Sequence, residues 1–161
     1  DYAAFIKKQK PEEMPGPGYF VDKQGNILGT HKGIVSYTTG QRRGLGLPGK
    51  ERFYVTEIRA DRNEVVIGCL EYMYHSVVYC RDLHFMGIPD LSAGEELRAV
   101  VKIRYRHPGE AARIIREGED LLRIEFENPV RSATPGQSAV FYKDGYILGG
   151  GVIDRVADPA G

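Results

Sequence analysis

The sequence of 161 residues contains only two cysteines and no long apolar run. Ten residues separate Cys69 from Cys80, which is not a spacing of metal ligands. Apolar and aromatic residues flank both cysteines, so we expect two buried free thiols in a protein of a reducing compartment, here the cytoplasm. A membrane helix needs roughly 18 or more consecutive apolar residues, so no membrane span is expected.

The formal net charge of the chain is zero, because 22 basic side chains balance 22 acidic ones. A domain that binds polyanions over its whole surface is usually basic, so the composition argues against that class of protein. A local basic stripe is still present in residues 102–123, where the basic residues fall in strand-like stretches and the acidic ones mostly in presumed turns. Three of the four histidines, His75, His84 and His107, share no ligand spacing, so no metal site is predicted.

The chain also lacks the signals of a protein start. The first residue is not methionine, and the opening segment has neither the charged nor the apolar region of a signal peptide. We therefore interpret the sequence as a fragment of a longer protein.

Two adjacent arginines, Arg42 and Arg43, lie in the glycine-rich segment 36–46. Glycine permits a positive φ angle, and a guanidinium group matches the geometry of a phosphate. The segment therefore predicts a loop that presents cations to an anionic partner, or else an ordinary surface turn with two solvated arginines. Residues 40–46 do not match the dinucleotide fingerprint GxGxxG, and no phosphate-binding GxxxxGK(S/T) follows them.

Strand patterns dominate the chain after an initial helical stretch over residues 1–10. Short strands are predicted at residues 19–22 and 26–29, and a hairpin from residues 53–58 and 64–68. Six further strands with regular turns predict a closed antiparallel barrel. Their predicted bounds are 76–86, 96–106, 111–117, 121–127, 138–142 and 145–152. The chain is thus expected to be mainly β, with a small mixed α/β domain over 1–74, a six-stranded barrel over 75–157 and a tail over 158–161.

The strand predicted at residues 96–106 alternates between apolar and basic side chains. This alternation places Tyr105 on the same apolar face as Ile103. Tyr105 is therefore either a core side chain or an exposed aromatic ring, and the pattern alone leaves both interpretations open.

Several motifs together carry a resemblance. They are His-Lys-Gly-Ile at residues 31–34, the loop at 36–46, Lys-Ile-Arg-Tyr-Arg at 102–106, Thr-Pro-Gly-Gln-Ser-Ala-Val-Phe-Tyr at 134–142 and Leu-Gly-Gly-Gly-Val-Ile at 148–153. In this order they resemble the C-terminal half of the tRNA-specific 2-thiouridylase family. These enzymes activate C2 of the wobble uridine with ATP and replace its oxygen with sulfur.

The resemblance implies a central domain followed by a barrel like those of translation factors. It also implies ATP with Mg as the cofactor of the full-length enzyme, and three partners: tRNA, an N-terminal ATP domain and a persulfide sulfur-carrier protein. By family analogy the tRNAs are those for Lys, Glu and Gln. The ATP loop and both catalytic cysteines of the family have no match here, so no cofactor site, no catalytic residue and no activity are expected in this chain alone.

The resemblance further implies that Arg104, Tyr105 and Gln137 contact tRNA. An arginine can fork onto a phosphate, a tyrosine can stack on an unpaired base, and an amide can both donate and accept at a base edge. Alternatively, Arg104 is a solvated strand residue and Gln137 caps the turn that precedes it. Four further cations are candidate contacts with tRNA or with the ATP domain: Arg42, Arg43, Lys102 and Arg106.

Two other functions compete with a tRNA-holding fragment of an enzyme. One is a free-standing barrel, related to translation factors, that binds RNA or protein without catalysis. The other is a structural β-domain without a nucleic-acid role, which the zero net charge would suit.

Overall fold

The computed structural model describes residues 15–49 and 51–157. The chain divides into two compact units, with the break between Met73 and Tyr74. Strands dominate both, and the helical turns of the described residues are short 3₁₀ turns. The prediction of a mainly β protein is therefore confirmed. The helical stretch expected over residues 1–10 and the tail over 158–161 lie outside the described residues.

The first unit is built on a four-stranded mixed sheet with the order β2-β1-β4-β3. Its strands are β1 (Gly18–Val21), β2 (Ile27–His31), β3 (Tyr54–Arg59) and β4 (Glu64–Gly68). Two antiparallel hairpins, β1–β2 and β3–β4, join through the parallel pairing of β1 with β4. Its 3₁₀ turns are Ile34–Ser36, Ala60–Arg62 and Leu70–Met73.

One face of this sheet carries the core of the first unit, formed by Phe20, Ile34, Leu45, Val55, Val65 and Ile67. His31 is buried beside this core and fixes two backbone segments. Its Nδ1 accepts a hydrogen bond from the N–H of Gly33 at 3.0 Å, and its Nε2 lies 3.0 Å from the carbonyl oxygen of Asn63. Both bonds form only when the ring is neutral and its proton is on Nε2. His31 therefore braces the backbone at Gly33 and Asn63.

The second unit is a closed antiparallel barrel with the strand order β10-β5-β8-β7-β6-β9, which confirms the predicted architecture. Its strands are β5 (Tyr74–Phe85), β6 (Glu96–Lys102), β7 (Glu110–Gly118), β8 (Leu121–Arg131), β9 (Ser138–Lys143) and β10 (Tyr146–Ala157). Asp144 and Gly145 both have positive φ, as a two-residue hairpin between β9 and β10 requires.

Alternate residues of each strand fill the barrel interior, as expected for a small barrel. Its most fully buried side chains include Val78, Cys80, Val101, Ile103, Ile114, Leu122, Ile124, Phe141 and Ile153. Burial, with a smaller contribution from Asp154, raises the pKa of the Cys80 thiol to about 12. Cys80 is therefore a buried free thiol, as predicted.

Two expectations from the sequence are wrong. Strand β6 ends at Lys102 rather than at residue 106, because the chain turns at Arg104–His107, ahead of Pro108. Tyr105 consequently leaves the apolar face and is 97% exposed, so it is not a core residue. Cys69 is exposed rather than buried, because it follows the last residue of β4, where the alternation of the strand no longer directs side chains.

Candidate nucleic-acid interface

A tight turn after β6 presents three of the predicted side chains. The N–H of His107 donates to the carbonyl oxygen of Arg104 at 3.1 Å and closes the turn. Ile103 and His107 on either side are both buried. Arg104, Tyr105 and Arg106 between them are exposed, so the barrel holds the base of the turn while its tip faces solvent.

The guanidinium group of Arg104 has a fixed direction. Its Nη1 donates to the carbonyl oxygen of Arg131 at the end of β8, at 2.7 Å. A guanidinium group has five N–H donors, so most of them remain available for an external acceptor. This single backbone contact orients the cation without neutralising it.

A second turn, Thr134–Gln137, precedes β9 and positions Gln137. The N–H of Gln137 donates to the carbonyl oxygen of Thr134 at 3.1 Å, and Gly136 has a φ of 89°. Pro at the second and Gly at the third position of such a turn are the residues that a type II turn favours. Two hydrogen bonds of 2.8 Å between this turn and Ile153 attach it to β10.

The side chain of Gln137 takes no part in closing this turn, because the backbone N–H does so. Its amide oxygen is buried and accepts no hydrogen bond within the described residues. A buried acceptor without a partner costs about 1–3 kcal/mol. A ligand in the groove could donate a hydrogen bond to this oxygen and remove that cost only after the side chain rotates the oxygen towards solvent.

The two turns and the outer face of β9 enclose an open groove of about 440 Å³. Its lining residues are Lys102, Ile103, Arg104, Tyr105, Gln137, Ser138, Val140 and Tyr142. The structure thus brings Lys102, Arg104, Tyr105 and Gln137 together, although 26 residues separate the two turns in sequence. Arg106 shares the turn of Tyr105 but does not line the groove.

Besides the buried Ile103, three lining residues were not predicted as site residues from the sequence: Ser138, Val140 and Tyr142. They are alternate residues of β9, and their neighbours Ala139 and Phe141 are fully buried. Period-two alternation beginning directly after Gln137 was the signal that could have identified them.

Charges on the rest of the barrel are largely compensated. Five of its arginines form ion pairs: Arg81 with Asp154, Arg98 with Glu127, Arg113 with Glu96 and Glu125, Arg116 with Asp90, and Arg123 with Glu117 and Glu125. Within the residues that the structure describes, no carboxylate forms an ion pair with Lys102, Arg104 or Arg106. The zero net charge of the chain therefore conceals an uncompensated cationic patch at the groove.

The cationic patch affects the pKa of His107. Burial, together with the positive charge of Arg104, lowers the pKa of its imidazole, and its Nδ1 accepts a hydrogen bond from the N–H of Gly109 at 3.3 Å. The neutral ring is thus the form that the base of the turn requires.

Arg42 and Arg43 lie in the first unit, whereas the groove is built from the barrel alone. Their loop is held by the side chain of Gln41, which accepts from the N–H of Thr38 and donates to the carbonyl oxygen of Arg43, each at 3.0 Å. Gly40 and Gly44 adopt the positive φ that the sequence suggested. Both arginines are exposed, and neither has an ion-pair partner in the described part of the chain.

Comparison with known proteins gives the family. Residues 3–69 match the model of the tRNA methyl transferase PRC-barrel domain, and residues 75–153 match that of the aminomethyltransferase beta-barrel domain. The chain is 43% identical over 155 residues to the tRNA-specific 2-thiouridylase MnmA 2 of Clostridium botulinum (strain Okra / Type B1), covering 96% of this chain and 43% of the relative. The chain belongs to the tRNA-specific 2-thiouridylase family.

Other members of this family match to a similar degree. The tRNA-specific 2-thiouridylase MnmA of Acetivibrio thermocellus is 44% identical over 154 residues, covering 95% of this chain and 42% of the relative. That of Symbiobacterium thermophilum is 40% identical over 155 residues, covering 96% and 39%. The chain therefore spans about two fifths of the length of these thiouridylases.

The described residues contain no group of three or more His, Cys, Asp or Glu side chains placed to hold a metal ion. None of their helices has the length and apolar character needed to cross a membrane.

Proposed function

We propose that this chain is the tRNA-holding part of an ATP-dependent tRNA 2-thiouridylase and that its barrel groove contacts the tRNA. The observation that carries the proposal is the meeting of uncompensated cations, an exposed aromatic ring and an unsatisfied amide in one groove. Phosphates, unpaired bases and base edges are the nucleic-acid groups that these three kinds of side chain bind.

Each predicted residue has a separate role in this proposal. Arg104 donates to a backbone phosphate with the donors that Arg131 leaves free. Tyr105 stacks on an unpaired base, an interaction worth about 1–3 kcal/mol. Gln137 reads a base edge or a ribose hydroxyl through its amide.

The remaining candidate cations supply attraction over a longer range. Lys102 and Arg106 flank the turn and would neutralise further phosphates. Arg42 and Arg43 contact either the tRNA or the ATP domain, since both surfaces can offer anionic groups to an exposed guanidinium pair.

Catalysis belongs to the longer protein in this proposal. Its N-terminal domain would bind ATP with Mg and activate C2 of the wobble uridine, and a persulfide carrier would supply the sulfur. The substrates would be the tRNAs for Lys, Glu and Gln in the cytoplasm. The present chain would hold the substrate and be inactive alone.

Binding to unmodified tRNA-Lys transcript over a salt series tests the proposal, with a DNA duplex as the control. We expect affinity that favours the tRNA and falls steeply as salt rises, because each phosphate contact releases counterions. Equal affinity for the duplex would contradict specific recognition. An absence of binding at low salt would contradict the tRNA-holding role itself.

A matched pair of variants localises the contact. Arg104→Ala should weaken tRNA binding and reduce the log–log salt slope by about 0.7 to 0.9, the loss of one phosphate contact. Arg113→Ala removes an exposed arginine that Glu96 and Glu125 already neutralise, so its tRNA affinity should equal that of the wild type. Equal losses from the two variants would show that the groove is not the binding site.

A further inference from the structure

The groove extends from the two turns along the outer face of β9. Ser138, Val140 and Tyr142 form its floor, while Ala139 and Phe141 point into the barrel. Four residue steps from Ser138 to Tyr142 correspond to roughly 13 Å of strand. One end of this floor meets Gln137, and the other end is the ring of Tyr142.

Tyr142 lies in an apolar row that crosses three strands. It pairs with Val100 on β6 and with Ile147 on β10, and these two neighbours are 41% and 43% exposed. Lys102 contributes a cation, with its Nζ 5.5 Å from the centre of the Tyr142 ring. An aromatic ring bordered by apolar side chains and a cation is the kind of platform on which nucleic-acid bases stack.

Gly150 keeps the side of the groove towards β10 low. It pairs with Val140 and has no side chain to rise beside it. A Cβ at Gly150 would lie 2.7 Å from the carbonyl oxygen of Ala139. The close strand packing therefore excludes a larger residue at this position, and the floor stays open next to Val140.

From this arrangement we infer that the groove holds a run of unpaired nucleotides, with Tyr142 as a second stacking residue and Lys102 as the phosphate contact beside it. The inference rests on the proposed function. A nucleotide run fits better than an apolar peptide because the cations at the groove wall have no carboxylate partner within the described residues. The length of the floor suits more than one nucleotide, with Tyr105 and Tyr142 at separate positions.

Tryptophan fluorescence gives a direct readout, because the chain contains no tryptophan. Tyr142→Trp introduces a single indole at the groove, and Tyr146→Trp introduces one at a tyrosine that is 75% exposed outside the groove lining. Unlabelled tRNA-Lys transcript should quench the fluorescence of the Tyr142→Trp chain several times more than that of the Tyr146→Trp chain. Equal quenching in the two variants would overturn the inference.

The unpaired state of the nucleotides is tested with short RNA probes. A single-stranded oligouridine should quench the Tyr142→Trp fluorescence, while an RNA duplex of the same length should do so much less. Stacking requires an accessible base face, which a duplex hides. Stronger quenching by the duplex would exclude a site for unpaired nucleotides.

Affinity measurements separate this inference from the proposed function. Tyr142→Leu keeps an apolar side chain between Val100 and Ile147 and should lower tRNA affinity about ten-fold with an unchanged salt slope. Lys102→Met should lower affinity and reduce the slope by about 0.7 to 0.9, with Tyr146→Leu as the unaffected control. Melting curves of all variants verify that the barrel is folded.

The outcomes are distinguishable. If Arg104→Ala loses affinity while Tyr142→Leu binds like the wild type, the second stacking position is wrong and the tRNA-holding function stands. If the unaltered chain binds no tRNA at low salt, both fail together.

Discussion

Arg104 and Arg116 are two arginines of one barrel whose guanidinium groups both donate to a backbone carbonyl. Arg116 bonds the carbonyl oxygen of Glu119, is buried, and also pairs with both carboxylate oxygens of Asp90 at 3.0 and 3.3 Å. Arg104 bonds the carbonyl oxygen of Arg131, is exposed, and has no carboxylate partner in the described residues. The difference lies in compensation: a neutralised guanidinium ties the fold together, and an uncompensated one is available to a partner.

Of the two arginines, Arg116 should give the larger effect when it is replaced. Arg116→Ala removes the pairing with Asp90 and leaves the carbonyl of Glu119 without its donor, so the free energy of unfolding should fall by about 2 kcal/mol. Denaturant unfolding measures this loss. The affinity for tRNA at low temperature, where the variant is still folded, should be unchanged, and a selective loss of binding would contradict the structural assignment.

Tyr105→Ala should give the next largest effect, a loss of about 1–3 kcal/mol in tRNA binding from one missing stacking contact. The ring is almost wholly exposed, so the melting temperature should not move. Titration of labelled tRNA with a parallel melting curve tests both statements. A lower melting temperature with full affinity would assign Tyr105 a packing role instead.

Arg104→Ala is the corresponding substitution of the exposed arginine. We expect a loss of tRNA affinity of about ten-fold at moderate salt, since hydrogen bonds to charged groups are worth roughly 1.5–3 kcal/mol. Because Arg104 is exposed, the free energy of unfolding should change little. Retained affinity together with a clear loss of stability would make Arg104 a second structural arginine like Arg116.

The smallest effect concerns pH. Because the pKa of His107 is lowered in the folded chain, the unfolded chain binds a proton more readily. The stability that neutral His107 contributes should therefore be complete above about pH 6.5 and decline as the pH falls through its folded pKa. Unfolding curves between pH 5 and 8 should show this decline in the wild type and less of it in His107→Asn. An identical pH dependence in both would exclude His107 as its source.

Short-range patterns explain what the sequence predicted well. Alternation along β6 and β9 and the Asp144-Gly145 turn identify strands and hairpins, because they depend on residues that are close in the chain. The resemblance to the family motifs identified Arg104, Tyr105 and Gln137 as candidate contacts. The structure places these three residues in one groove.

The missing parts depend on where strands end and on contacts that are distant in sequence. The end of β6 is set by the closing hydrogen bond at His107 and by the burial of Ile103 in the barrel, so alternation continued the strand too far. The position of Tyr142 beside Lys102 requires β9 to pair with β6, which no local pattern reveals. The exposure of Cys69 reflects the end of β4 one residue earlier.

The turn at Arg104–His107 also has a consequence for binding kinetics. Because Ile103 and His107 are buried on either side of its tip, the segment is ordered before any partner arrives. Little conformational entropy is then lost when a complex forms, and preorganised contacts act mainly by slowing dissociation. His107→Gly removes one of the two buried side chains that hold the turn. It should thus shorten the lifetime of a complex even though every contacting side chain is retained.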